Sequence, residues 1–91
     1  MTFTVLVSKT FQKDFQHLPN ELQKQIRSGL KELQNDPYST RPHCDIKVLK
    51  NTKPKKHRLR VGEYRIIYTI EKNEVRVIYL MKREIGYGQV E

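Results

Sequence analysis

Residues 56–70 constrain the fold more than any other stretch, because they alternate in character on both sides of a glycine. Both arms are rich in β-branched and aromatic residues, which favours extended strands. Gly62 can adopt the positive φ that the first position of a two-residue type II′ turn requires. The pattern therefore predicts a β-hairpin that turns on Gly62-Glu63 and pairs Arg60 with Arg65.

Alternation along the two strands assigns each side chain of this hairpin to one of two faces. The face expected to pack in the core carries His57, Leu59, Val61, Tyr64, Ile66, Tyr68 and Ile70. The opposite face carries Lys56, Arg58, Arg60, Arg65, Ile67 and Thr69. Like charges that oppose each other across two strands destabilise a sheet. Arginines concentrated on one face therefore indicate that this face receives an anion.

The positive charge of the chain is concentrated in the same region. The sequence of 91 residues has a formal net charge of +8. Residues 41–65 contain nine lysines and arginines and two acidic residues, a net of +7, so nearly all of the excess lies in one segment. A localised basic patch is typical of a protein that meets nucleic acid. Contact with an acidic protein, or a solvated basic surface, would also account for it.

The segments on either side of the hairpin predict an α+β domain. Apolar residues recur at helical spacing in two N-terminal segments and alternate in the remaining ones. The elements expected in addition to the hairpin are a strand at 3–7, helices at about 9–17 and 19–35, and strands at 46–49 and 75–81. We expect a single domain over residues 1–91, with the two-helix hairpin packed on one face of a curved antiparallel sheet of about four or five strands.

The register of the last strand follows from a tight turn at 71–74, in which Asn73 can adopt the left-handed conformation. This register places on the core face Val75, Val77, Tyr79 and Met81. It places on the arginine side, as an apolar stripe, Ile67, Ile78 and Leu80. An exposed apolar stripe on a small protein needs a cover, which would be either a partner or the C-terminal residues 85–91.

The sequence predicts neither a membrane protein nor a disulfide-linked one. No apolar run approaches the roughly 20 residues of a membrane span, and residues 1–7 lack the features of a signal peptide. The single Cys44 cannot form an internal disulfide, and we interpret it as an incidental apolar residue. We expect a cytoplasmic location. No cysteines, histidines or carboxylates occur at metal-ligand spacing, so neither a metal nor another cofactor is expected.

Four short motifs are similar, in their order and spacing, to those of a known family. They are Leu49-Lys50-Asn51, Lys56-His57-Arg58-Leu59-Arg60, Gly62-Glu63-Tyr64-Arg65-Ile66-Ile67-Tyr68, and Lys82-Arg83-Glu84 followed by Tyr87. Together with the order of the predicted elements, they resemble the RelE-type toxins of the RelE/ParE toxin–antitoxin superfamily. The resemblance covers essentially the whole chain. It implies a toxin that inhibits translation by cleaving mRNA, typically in the ribosomal A site.

The resemblance also assigns roles to individual residues. Arg65 matches the arginine that holds the scissile phosphate, Arg83 the arginine at the end of the last strand, and Tyr87 the tyrosine placed against the nucleotide. Lys56 and Arg58 match two alternating basic positions, one of which serves as general base or stabilises charge. These five are the candidate catalytic residues. The candidate RNA-binding residues are Lys50, Arg60, Lys53, Lys55 and Lys47, which would contact mRNA or ribosomal RNA.

The implied reaction makes specific demands on these side chains. When the 2′-OH of RNA attacks the adjacent phosphate, the site must accept a proton, stabilise added negative charge and protonate the leaving oxygen. Arginines meet the second demand, at about 3–4 kcal/mol per well-placed donor in comparable sites. Arginine stays protonated, so Lys56 and Tyr87 are the candidates for proton transfer.

Three functions remain open from the sequence. The first is a metal-independent endoribonuclease toxin, inhibited in a hetero-oligomer by a cognate antitoxin that is small and either acidic or equipped with a DNA-binding part. The second is a ParE-like toxin that inhibits DNA gyrase and has no nuclease activity. The third is an RNA-binding module without catalysis. Retention of Arg65, Arg83 and Tyr87 together favours the first, because an interaction toxin does not require a phosphate-binding cage.

Overall fold

Five strands and two helices make up residues 2–50 and 52–82, the part of the chain that this computed structural model describes. In chain order they are β1 (Thr4–Val7), α1 (Lys9–Gln16), α2 (Asn20–Asn35), β2 (Asp45–Leu49), β3 (Lys56–Val61), β4 (Tyr64–Glu71) and β5 (Glu74–Lys82). The predicted α+β class is confirmed, and both helices lie close to their expected positions. Neither helix is long and apolar enough to cross a membrane.

The strands form one open sheet in the order β1-β5-β4-β3-β2. The pairs from β5 to β2 are antiparallel, as expected. β1 differs, because it runs parallel to β5, with Val5 opposite Val75 and Val7 opposite Val77. Parallel neighbours need a long crossover connection, and here the two helices and three strands lie between the paired segments. The sheet is therefore mixed at the β1 edge.

The β3–β4 hairpin has the register predicted from its alternation. Val61 pairs with Tyr64, and Arg60 pairs with Arg65. Gly62 has a φ of 59°, the positive value that the first position of the turn requires. In the next turn, the positive φ of 56° belongs to Lys72, so the prediction that placed it at Asn73 is wrong. Lys72 and Gly62 each occupy the first position of a two-residue turn. The positive φ that this position requires outweighs the preference of asparagine over lysine for the left-handed conformation.

Both helices lie on one face of the sheet and bury their apolar sides there. α1 contributes Phe11, and α2 contributes Ile26 and Leu33, all at most 2% exposed. Ser8 caps α1, because its Oγ accepts a hydrogen bond of 3.0 Å from the Phe11 amide. The strands complete the core with Ile46, Leu59, Ile66, Tyr68, Val75, Val77 and Leu80.

A β-bulge in β5 overturns part of the predicted burial. The register with β4 shifts between Ile67 and Tyr68, whose partners are Tyr79 and Val77. The residue between them, Ile78, is therefore extra, and it reverses the alternation of the strand beyond it. The facing assignments of Tyr79, Leu80 and Met81 were accordingly wrong. Leu80 enters the core opposite Ile66, whereas Tyr79 and Met81 lie on the side of the arginines.

Ser8 secures this bulge from the N-terminal side of the domain. Its backbone N–H donates a 2.9 Å hydrogen bond to the Val77 carbonyl, and its hydroxyl donates a short one to the Ile78 carbonyl. A bulge leaves one residue outside the ladder, so its polar groups need another partner. The side chain that caps α1 thus also stabilises the irregularity that re-aims the end of β5.

His57 lies on the core face, as predicted, and is 6% exposed. Its ring stacks on that of Tyr68, with centroids 5.3 Å apart, and meets Tyr38 edge-on. Within the described residues, its Nδ1 atom has no hydrogen-bond partner. The Tyr68 hydroxyl donates a 2.8 Å hydrogen bond to the Pro37 carbonyl, and burial raises the pKa of this tyrosine. His57 is therefore part of the core packing.

Replacing Gly29 with alanine tests the close packing of α2 on β3. A Cβ atom at this position would lie 3.0 Å from Leu59 Cδ2 and 3.2 Å from Val61 Cγ2. Alanine gains about 1 kcal/mol in helix propensity, but overpacking costs about 1–3 kcal/mol, so we expect the free energy of unfolding to fall by about 1 kcal/mol. Urea denaturation measures this change. The exposed Ser28→Ala variant is the control on the same helix, and a Gly29→Ala protein more stable than the parent would contradict the tight contact.

The pH dependence of stability tests the burial of His57. Burial lowers the pKa of His57, and the positive charge of Lys55 lowers it further. The unfolded chain binds this proton near its ordinary pKa of about 6.5, so the contribution to stability is complete above that pH and is lost as pH falls through the lowered folded-state value. We expect the urea midpoint to fall between about pH 7 and pH 5, and His57→Phe to flatten this slope. The exposed His17→Gln serves as control, and an unaltered slope in His57→Phe would refute the assignment.

Candidate functional site

Basic side chains of three adjacent strands share the sheet face opposite the helices, which we call the arginine face. Cross-strand pairing brings Lys47 of β2 opposite Arg58 of β3. It brings Arg60 of β3 opposite Arg65 of β4. Lys56 begins β3 on the same face, and its side chain is half-buried. The fold therefore places on one surface the basic hairpin residues that sequence alternation predicted there, and Lys47 beside them.

Arg58 is the buried cation of the arginine face. Its side chain is 9% exposed, and its Nη1 atom lies 3.6 Å from Oδ2 of Asp45. Directly opposite Arg58 are Lys47 on one side and Ile67 on the other. Among the described residues, the Arg58 Nε atom has no hydrogen-bond partner. Burying a guanidinium is unfavourable unless its N–H donors are paired. Arg58 therefore has a donor, its Nε–H, that is buried without a hydrogen bond.

Arg60 and Arg65 form a cross-strand pair of arginines next to Arg58. Arg60 is exposed, and its Nε–H donates a long hydrogen bond of 3.5 Å to the Gly62 carbonyl. Arg65 is half-buried and lies between Arg60 and Met81 in the sheet. Guanidinium groups bind phosphate oxygens through planar, paired N–H donors. Three of them on adjacent strands make a surface suited to a phosphodiester backbone.

An apolar strip borders the arginines, but its composition differs from the predicted one. Ile67 is on this face as expected and is 3% exposed. Because of the bulge, its cross-strand partner is Tyr79, and Met81 lies opposite Arg65. The predicted stripe of Ile67, Ile78 and Leu80 is therefore corrected to Ile67, Tyr79 and Met81. Tyr79, which sequence alternation assigned to core packing, is an aromatic group beside the basic residues.

The remaining predicted RNA-binding residues lie at the margin of this face. Lys50, Lys53 and Lys55 are exposed in the connection between β2 and β3, near the end where Lys56 begins its strand. They extend the basic surface beyond the strands, but they are not part of the sheet face itself. The candidate catalytic residues Arg83 and Tyr87 lie outside the residues that the structure describes, so their roles remain those that the resemblance implies.

Two residues of this face were missed by the sequence reasoning. Asp45 lies outside the strand predicted at 46–49, but it begins β2 and lies directly opposite Arg60. Its signal is the alternation of polar Asp45 and Lys47 with apolar Ile46 and Val48, which begins one residue before the predicted strand. Tyr79 was missed because no local feature of β5 predicts the bulge, and Ser8, which donates hydrogen bonds to the bulged segment, lies far away in the sequence.

Other reactive side chains do not gather into a second site within residues 2–50 and 52–82. Cys44 is buried, and burial raises the pKa of its thiol, with the carboxylates around it adding to the shift that Arg41 partly opposes. A neutral buried thiol is a poor nucleophile. No three His, Cys, Asp or Glu side chains in this part of the chain lie close enough together to hold a metal ion.

Comparison with known proteins relates the chain to toxins of toxin–antitoxin systems. A family model described as the ParE toxin of the type II toxin–antitoxin system, parDE, matches residues 5–87. Toxin RelE3 of Methanocaldococcus jannaschii is 40% identical over 62 residues, which are 68% of this chain and 69% of that protein.

Two solved structures with the same fold come from toxin–antitoxin complexes. A chain of the archaeal RelE–RelB complex from Pyrococcus horikoshii matches with a TM-score of 0.79 and 27% identity, covering 91% of this chain and 97% of that one. A chain of the RelB–RelE antitoxin–toxin complex from Methanococcus jannaschii matches with a TM-score of 0.74 and 29% identity, covering 94% and 99% of the respective chains. With a family model that spans most of the sequence, these similarities show that the chain belongs to the RelE/ParE superfamily and is a RelE-type toxin of a type II toxin–antitoxin system.

Proposed function

We propose that this toxin is a metal-independent endoribonuclease that cleaves mRNA, in the ribosomal A site, by attack of a 2′-OH on the adjacent phosphate. The observation that carries the proposal is the arginine face, where Arg58 is buried and Arg60 and Arg65 lie directly opposite each other. Burial and like-charge opposition both cost stability. A polyanionic substrate offsets both costs when it binds.

The roles of the residues follow from where negative charge develops. Arg65 and Arg58 are on adjacent central strands, so a phosphate between them meets donors that are already oriented. They stabilise the phosphorane formed by the 2′-oxygen. Arg83 would add a third cation and Tyr87 a contact to the nucleotide. Lys56, which is half-buried beside these cations, is a candidate for proton transfer, together with Tyr87.

Tyr79 provides the arginine face with an aromatic ring on which a nucleobase can stack. Sequence-specific and sequence-tolerant RNA binding both rely on bases stacked upon aromatic rings, flanked by cations that hold the backbone. Tyr79 lies opposite Ile67, two residue pairs away from Arg65 along the strands and on the same face. We therefore place a nucleotide adjacent to the scissile phosphate over this ring, and the outer lysines Lys47, Lys50, Lys53 and Lys55 along the flanking backbone.

The partner of the toxin is inferred from the proteins that it resembles. The structures from Pyrococcus horikoshii and Methanococcus jannaschii contain RelE bound to RelB. By analogy, a cognate antitoxin would bind this chain in a hetero-oligomer and share its cytoplasmic location. We infer that part of the antitoxin covers the strip of Ile67, Tyr79 and Met81 or the basic surface beside it, since an acidic partner would complement that charge.

A second candidate function deserves a direct test, because the matching family model is that of the ParE toxin. This alternative is inhibition of DNA gyrase without RNA cleavage. Cell-free translation of an mRNA with the toxin, followed by primer extension, should give cuts at defined codon positions. Gyrase supercoiling is assayed in parallel. Loss of supercoiling without mRNA cuts would favour the ParE-like function, and RNA binding without either activity would favour a non-catalytic module.

The variant Arg65→Ala should lose toxicity without losing stability. Removal of one well-placed donor to a developing anion lowers kcat by about 10²–10³-fold, so growth inhibition on induction should disappear. The melting temperature should stay the same or rise slightly, because the substitution removes the opposition between Arg60 and Arg65. Lys72→Ala, an exposed cation in the β4–β5 turn, is the control and should remain toxic. A strongly lowered melting temperature of Arg65→Ala would instead indicate a structural role.

Two substitutions of Tyr79 separate stacking from hydrogen bonding. Tyr79→Ala should weaken the binding of a short single-stranded RNA by the equivalent of about 1–3 kcal/mol, whereas Tyr79→Phe should bind like the parent. Fluorescence anisotropy at fixed salt measures both. Tyr38→Ala removes a tyrosine that is 58% exposed and lies next to His57 on the other side of the sheet, so it should have no effect. Equal losses in the Phe and Ala variants would rule out stacking.

A further inference from the structure

Asp45 places a carboxylate among the basic residues of the arginine face, where a negative charge is unexpected. It lies directly opposite Arg60, next to the pair formed by Lys47 and Arg58. Elsewhere on this face, the described acidic side chains of Glu71 and Glu74 pair with Arg76, at the far end of β4 and β5. A negative charge among phosphate-binding cations weakens anion binding, so its presence needs a reason.

The geometry of the ion pair provides that reason. Arg58 is flanked directly by Lys47 and Ile67, neither of which can accept a hydrogen bond from it through its side chain. Asp45 is a diagonal neighbour on β2, in the direction of Arg60 and Arg65. Its Oδ2 atom lies 3.6 Å from Arg58 Nη1, and its own side chain is 54% exposed. The contact therefore holds the buried guanidinium of Arg58 towards the level of the Arg60–Arg65 pair along the strand.

We infer that Asp45 is a positioning residue, which orients Arg58 so that the three guanidinium groups converge on one phosphate. This inference rests on the proposed endoribonuclease function. The carboxylate engages one terminal nitrogen of Arg58, whereas the Nε atom is buried and has no hydrogen-bond partner among the described residues. A bound phosphate can then accept hydrogen bonds from the remaining terminal nitrogen of Arg58. Asp45 thus costs some affinity for RNA and provides orientation in the transition state.

A positioning role predicts opposite changes in binding and catalysis when Asp45 is replaced by asparagine. Asp45→Asn retains the shape of the side chain and removes its charge. RNA affinity should be unchanged or higher, because a negative charge leaves a phosphate-binding surface. The kcat for mRNA cleavage should fall by about 10- to 100-fold, as expected when a reactive group is displaced slightly. Asp45→Glu should recover part of kcat, since it restores the charged partner.

Two comparisons separate orientation from general charge effects. Glu74→Gln makes the same chemical change on the same sheet face, at the far end where Glu74 pairs with Arg76 at 2.9 Å, and should leave kcat unchanged. The double variant Asp45→Asn with Arg58→Ala should have the same kcat as Arg58→Ala alone, because Asp45 acts through Arg58. Equal losses in Asp45→Asn and Glu74→Gln, or fully additive losses in the double variant, would overturn the inference.

A measurement independent of cleavage keeps this inference separate from the proposed function. The NMR signal of the Arg58 Nε–H, assigned by its loss in Arg58→Ala, reports how fast the guanidinium rotates. Rotation should be slow in the parent and faster in Asp45→Asn, but not in Glu74→Gln. If the parent toxin does not cleave mRNA, the proposed function fails while this result still stands. Unchanged rotation of Arg58 in Asp45→Asn would refute the positioning role itself.

Discussion

The pairing of β3 with β4 is the contact on which both faces of the sheet depend. Leu59 meets Ile66 on the side of the helices, and Arg60 meets Arg65 on the other side. A shift of one residue in this register would exchange the two faces, putting arginines in the core and aliphatic side chains in water. The burial of Leu59 and Ile66, each at most 1% exposed, therefore fixes the positions of the arginines as well. The register that forms the core therefore also assembles the arginine face.

This coupling explains how a small domain sustains an unfavourable charge distribution. Opposed arginines and a buried guanidinium would each destabilise an isolated hairpin. Here they are attached to β3 and β4, two interior strands whose other face holds the core residues Leu59, Ile66 and Tyr68. The same rigidity favours catalysis, since groups fixed on strands need little reorganisation as charge develops on the substrate. The apolar core on one face thus supports the electrostatic site on the other.

Much of this arrangement could be predicted from the sequence, because it depends on local alternation and turn chemistry. The hairpin register, the turn at Gly62 and the placement of Arg58, Arg60 and Arg65 all follow from a period of two and one glycine. The orientation of Tyr79 could not be predicted, since it depends on a bulge that Ser8 stabilises from the opposite end of the chain. The contact between Asp45 and Arg58 was also out of reach, because it required the register of β2, whose start the sequence placed too late.

The chemistry of the cleaved strand tests the account most directly. An mRNA that carries one 2′-deoxynucleotide at the mapped cleavage position is translated in the cell-free system with the toxin. If the arginine face stabilises attack by the 2′-oxygen, the deoxy substrate should remain intact, and the unmodified mRNA should yield a 2′,3′-cyclic phosphate and a 5′-hydroxyl end. Cleavage of the deoxy substrate at the same position, or 5′-phosphate ends from the normal one, would contradict the proposed mechanism.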